Sequence, residues 1–179
     1  MPTRRTFIKQ TSSGSAILVA HGSLAPGRVL GANDRVRIGL IGAGDRGQAI
    51  FKSALRCPNV EGAAVADVYT RRLDEVKQFL PNIQTYRDFR RLLENKTIDA
   101  VLIATPQHQH ALNFVPAIQA GKDVYQEKTM AFNPEHAVRM KKALEGTKQV
   151  VQVGIQSTSG PHAELFRLRP QPAGAGLSF

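Results

Sequence analysis

Three glycines at positions 42, 44 and 47 sit between an apolar run, Val36 to Ile41, and a stretch with helical spacing. In that setting each glycine has its own task in holding a dinucleotide. Gly42 permits a tight turn out of a strand, Gly44 lets the main chain approach a pyrophosphate, and Gly47 lets the next helix pack close to the sheet. Asp45 and Arg46 belong to the same loop and are expected to contact the cofactor with the glycines. The helix N-terminus behind them offers unpaired N–H groups and a partial positive charge to phosphates. Asp67 follows Gly47 by 20 residues, at the close of the next apolar run. A carboxylate there accepts hydrogen bonds from both ribose hydroxyls and repels a 2′-phosphate, so NAD is expected over NADP. Arg71 and Arg72, just past that strand, argue the other way. An S-adenosylmethionine-binding sheet also pairs a glycine loop with an acid, and these residues leave it open.

Two further polar clusters follow apolar runs. Thr105-Pro106-Gln107-His108-Gln109-His110 comes directly after Asp99 to Thr105, and Glu127-Lys128 comes after Asp123 to Gln126. Ligands of open α/β sheets lie beyond the C-terminal ends of the strands, where both clusters fall. Alone, His110 reads as a surface or helix-start residue and Lys128 as a solvated lysine. Their shared edge makes Thr105, Pro106, His110, Glu127 and Lys128 candidates for the cofactor site, with Lys128 the first candidate for catalysis and His110 the second.

The elements that must position these residues alternate. Strands are expected at Val36 to Ile41, Val60 to Val68, Asp99 to Thr105, Asp123 to Gln126 and Val150 to Gly154. Helices are expected at Gly47 to Leu55, Arg71 to Leu80, Asp88 to Asn95, His110 to Ala120 and from the Asn133 cap to Leu144. Gly121 is placed as a helix C-cap. Such alternation predicts an α/β fold: a Rossmann-type, doubly wound parallel sheet in a single domain, residues 33–156.

Composition is that of an ordinary folded protein, with 42% hydrophobic and 21% charged residues. The net charge of +10 is inflated by residues 1–32, which hold Arg4, Arg5, Lys9 and Arg28 and no acid. The rest mixes signs and lacks a basic stripe interleaved with aromatics, so nucleic acid is not expected as a partner. The single cysteine, Cys57, has no metal-ligand spacing around it and is expected to be a small apolar residue at a helix end. No metal site is expected. No run reaches the ~18 apolar residues that span a bilayer, so stable membrane insertion is not expected either.

Residues 1–32 read as an address. Thr3-Arg4-Arg5-Thr6-Phe7-Ile8-Lys9, then a short apolar run diluted by Gly and Ser, resembles a twin-arginine export signal. The resemblance implies the twin-arginine export machinery as a partner and a periplasmic or other extracytoplasmic location.

Taken in order, Ile38-Gly39-Leu40-Ile41-Gly42-Ala43-Gly44-Asp45-Arg46-Gly47, Ala66-Asp67-Val68, Ala104-Thr105-Pro106 with His110, Glu127-Lys128 and Val151-Gln152-Val153-Gly154 resemble the Gfo/Idh/MocA oxidoreductases. That resemblance implies an NAD- or NADP-dependent enzyme acting at a carbon–oxygen centre of a small-molecule substrate such as a sugar or polyol. It implies that Lys128 is the lysine of the family's Glu-Lys-Pro motif, beside the nicotinamide and the reacting hydroxyl, with Glu127 contacting the cofactor or setting Lys128. Thr129 stands where the family has proline.

Members of this family continue into a second domain that supplies most substrate contacts and the oligomer interface. Pro161 to Phe166 resembles the family's next helix, but residues 157–179 are otherwise an irregular tail rich in Arg, Pro, Ala and Gly. The expectation is a truncated oxidoreductase whose tail from about Leu168 is an out-of-frame read-through, without an oligomer. Two rivals stand beside it: a non-catalytic dinucleotide-binding module, and a fragment that does not fold stably.

Overall fold

The computed structural model describes residues 35–155. The expected export signal and the irregular tail lie outside the described residues. Six parallel strands form one sheet: β1 (Val36–Ile41), β2 (Val60–Ala66), β3 (Gln84–Tyr86), β4 (Ala100–Ile103), β5 (Asp123–Glu127) and β6 (Val151–Gly154). Their spatial order is β3-β2-β1-β4-β5-β6. The chain thus builds outward from β1 in one direction, returns, and builds outward in the other. Between β1 and β4 two neighbouring connections leave in opposite directions, which opens a crevice at the C-terminal strand ends.

Side chains alternate across each strand, so one apolar run feeds both faces. Ile38, Leu40, Val65 and Leu102 pack on the side of α1 (Asp45–Ala54) and α2 (Thr70–Phe79), with Ile50, Phe51, Leu73 and Val76. Ile41, Ala64, Val101, Ile103 and Val124 pack on the other side. There they meet α3 (Phe89–Glu94), α4 (His110–Gln119) and α5 (Pro134–Leu144) through Leu92, Phe114, Ile118 and Met140. The doubly wound sheet is therefore as expected.

Helix ends follow their local chemistry. Asn133 caps α5 by accepting the His136 N–H at 2.8 Å, with Pro134 in its first turn. Gly121 and Gly146 follow α4 and α5 with φ of 74° and 75°, the left-handed conformation glycine adopts without a Cβ clash. The sequence reading misses β3, a three-residue edge strand with no apolar run, and the short 3-10 turn Gln107–Gln109 ahead of α4. Cys57, expected at a helix end, lies in the turn just after α1 and is exposed. No helix among the described residues is long and apolar enough to cross a membrane.

Candidate functional site

β1 ends at the switch point, and the loop that follows is shaped by its main chain. Gly42 turns with φ 91°, and a Cβ there would lie 2.8 Å from the backbone of Ala104 and Thr105. A Cβ on Gly47 would strike the Gly42 carbonyl, so α1 packs close because Gly47 lacks one. Gly44 is different. Its backbone is extended, with φ −66° and ψ 178°, and nothing lies within 4 Å of where its Cβ would be. Gly44 is also the N-cap of α1, and no side chain caps that helix. The first N–H groups of α1 therefore face an open cradle, which fits a diphosphate.

Asp67 stands at the adjacent strand end and is tied to the same loop. Its Oδ2 accepts the Ala43 N–H at 2.7 Å and its Oδ1 accepts the Tyr69 N–H at 2.9 Å. Each oxygen keeps lone-pair capacity for a further donor, which fits a ribose diol. Gln48, which the sequence reading did not single out, donates to the Ala43 carbonyl and to Glu75. Arg72 reaches Asp45 at 2.7 Å and Glu75 at 3.0 Å. The hydrogen bond from Gln48 and then that from Arg72 hold the Glu75 carboxyl below its ordinary range. Arg72 is thus engaged, whereas Arg71 is 80% exposed with a single 3.4 Å contact to Glu75.

The end of β5 is built from side chains. The Glu127 carboxylate is only 5% exposed, and its Oε1 accepts from Arg46 Nε at 2.8 Å and Nη2 at 2.6 Å. The Tyr125 hydroxyl lies 3.4 Å from the same oxygen, and the Lys128 N–H donates to Oε2 at 3.3 Å. Hydrogen bonding to Glu127 holds the Arg46 guanidinium above its ordinary value. Burial, then the Glu127 charge, pushes the Tyr125 phenol up. Gly154 on β6 makes room for that ring, since a Cβ there would run into the Tyr125 hydroxyl. Lys128 itself is exposed at the sheet edge, and the Lys128–Thr129 peptide bond is cis.

His110 opens α4 and is 1% exposed. Its Nδ1 lies 2.6 Å from the Thr129 carbonyl and its Nε2 2.9 Å from the Thr105 carbonyl. Both partners are acceptors, so the ring acts here as a donor between two loops, and a neutral ring serves one of them at a time. The Thr105 hydroxyl donates to Asn113, and Pro106 is exposed in the turn. The glycine loop, Asp67, the Thr105 turn and Glu127-Lys128 therefore share one edge of the sheet. Gln48 and Tyr125, which the sequence reading did not single out, join them, and Arg46 reaches Glu127 across 81 residues.

Residues 36–155 match the model of an oxidoreductase family, Gfo/Idh/MocA, described as an NAD-binding Rossmann fold. A glycosyl hydrolase family 109 protein of Stenotrophomonas maltophilia is 39% identical over 130 residues, 66% of this chain and 28% of that protein. The scyllo-inositol 2-dehydrogenase (NADP(+)) IolW of Bacillus subtilis is 26% identical over 112 residues, 63% of this chain and 31% of that enzyme. Among solved structures, myo-inositol 2-dehydrogenase from Lactobacillus plantarum superposes with a TM-score of 0.69 at 21% identity. The match covers 74% of this chain and 40% of that one, a likeness of fold. The chain spans about a third of the length of such curated relatives.

Proposed function

The chain belongs to the Gfo/Idh/MocA oxidoreductase family, and from that premise we propose that it binds NAD in preference to NADP and serves hydride transfer at a carbon–oxygen centre of a sugar or polyol. The observation that carries this reading is the open cradle at Gly44, with Asp67 pinned beside it by the Ala43 N–H. Gly42 and Gly47 shape the loop, and the first N–H groups of α1, with Asp45 and Arg46 among their residues, face the diphosphate. Asp67 takes the adenosine ribose and disfavours a 2′-phosphate. Arg72 is engaged by Asp45 and Glu75, which draws its charge away from a 2′-phosphate.

NAD, when bound, supplies the hydride acceptor. Lys128, exposed at the end of β5, hydrogen-bonds the substrate oxygen and steadies the charge that develops on it. Thr105 and Pro106 form the wall facing the nicotinamide half. His110 is reassigned from a catalytic to a positioning role, because a ring 1% exposed between two carbonyls has no free nitrogen for substrate. Calorimetry of the full chain with NAD and NADP tests the binding. A scan of sugars and polyols for formation of reduced nicotinamide tests the chemistry. NADP binding more tightly than NAD sinks the preference, and absence of binding sinks the reading.

A second reading, favoured by the 39% identity to the glycosyl hydrolase family 109 protein, is glycoside hydrolysis. Sugar release from a glycoside with no net reduction of NAD would select it. We also propose that residues 1–32 direct twin-arginine export, on the strength of Arg4-Arg5 and the weak apolar run after them. Fusing those residues to a folded reporter tests this, and export that survives Arg4→Lys/Arg5→Lys overturns it.

A further inference from the structure

We propose that Arg46 is a positioning residue that couples occupancy of the glycine loop to the setting of Lys128, acting through its ion pair with Glu127. The inference rests on the dinucleotide reading above and adds to it a line of communication between the two ends of the cofactor.

Arg46 lies in the first turn of α1, two residues past the open cradle at Gly44. Two of its nitrogens converge on one oxygen of Glu127, across 81 residues of sequence. Neither bond uses Nη1, and 43% of the side chain remains exposed. The Glu127 carboxylate is buried, and its other oxygen holds the main-chain N–H of Lys128. Tyr125, seated over Gly154, closes the remaining side of Oε1. A buried carboxylate stays charged at little cost only while it is paired, so Glu127 follows Arg46. A diphosphate entering the cradle places a second anion beside the same guanidinium. Arg46 then bridges phosphate and Glu127, and its loss of freedom is passed to the backbone of Lys128. His110 holds the chain just past that lysine through the Thr129 carbonyl.

The test uses the full chain and ADP-ribose, which carries the diphosphate and both riboses but no nicotinamide to cover Lys128. Binding is measured by calorimetry, and the reactivity of the Lys128 amine by acetylation and mass spectrometry, with exposed Lys52 and Lys77 as references. Saturating ADP-ribose is expected to change Lys128 labelling in the wild type by about fivefold, within the range of coupling between groups in one network. The double variant Arg46→Met/Glu127→Gln removes the pair without stranding a buried charge, and its melting curve reports whether it folds. It is expected to bind ADP-ribose with affinity reduced by about tenfold and to show no change at Lys128 on saturation, with Arg46→Lys in between. An unchanged Lys128 in the saturated wild type, or an equal change in the double variant, overturns the coupling. A wild type that binds neither ADP-ribose nor NAD overturns the cofactor reading together with it, and calorimetry alone identifies that case.

Discussion

At the mouth of β1 the main chain does the shaping, whereas at the mouth of β5 side chains do. The first region works by absence: three residues lack a Cβ, one to turn, one to stay open and one to let a helix approach. The second works by convergence, with Arg46, Tyr125 and the Lys128 N–H all directed at one buried carboxylate. In a region made by absence, an added atom costs packing at Gly42 and Gly47 and open space at Gly44. A region made by convergence is most sensitive to loss of one charge from the pair at its centre.

The sharpest way to break that contrast is to add a methyl group in the first region. Gly47→Ala is expected to cost about 3 kcal/mol in urea unfolding, because its Cβ meets a carbonyl that cannot move aside. Gly44→Ala separates folding from binding. Its stability should stay within about 0.5 kcal/mol of wild type, while affinity for NAD falls by roughly thirtyfold, about 2 kcal/mol. Equal stability losses at both positions would erase the distinction between a packing glycine and a binding one.

In the second region, Arg46→Met strands the Glu127 carboxylate and should lower stability by about 2 kcal/mol. Adding Glu127→Gln should recover most of that loss, as double-mutant unfolding curves would show. Asp67→Ala removes an acceptor from both the loop and the ribose, so NAD should bind about tenfold more weakly and NADP should lose less. A residue in neither region gives the smallest effect. Asp88 caps α3 and titrates below its ordinary value of 3.8, first because of the Arg90 N–H. Its stabilisation is therefore complete above that value and is lost as pH falls below it. Asp88→Asn should flatten the acid limb of the stability curve and leave neutral pH almost unchanged.

The same contrast explains what could be read from the sequence. Gly42, Gly44, Gly47 and Asp67 are joined by fixed spacing along the chain, so the strand, loop, helix and acid were all legible. The five main strands follow apolar runs, and the caps at Asn133 and Gly121 follow local chemistry. The edge strand at Gln84–Tyr86 was not legible, since only its pairing with β2 makes it a strand. Glu127 was legible as a candidate, but its partner Arg46 was placed only with the cofactor, because nothing local relates positions 81 apart. His110 reads in sequence as a helix-start residue and a second catalytic candidate, and only the folded chain shows it buried between two carbonyls.

Synthesis delivers Arg46 well before Glu127. β1, β2 and β3 are all available to pair once residue 86 has emerged, and Asp67 then lies beside the glycine loop. β4 must then enter beside β1 before β5 can dock beside β4 and bring Glu127 across. Pairing of parallel strands far apart in sequence is slow, because the entropy of closing the loop is lost before the contact is gained. The glycine loop and Asp67 are therefore expected to be set early and Glu127 late, so a nascent chain halted before residue 123 would carry an Arg46 guanidinium without its carboxylate partner.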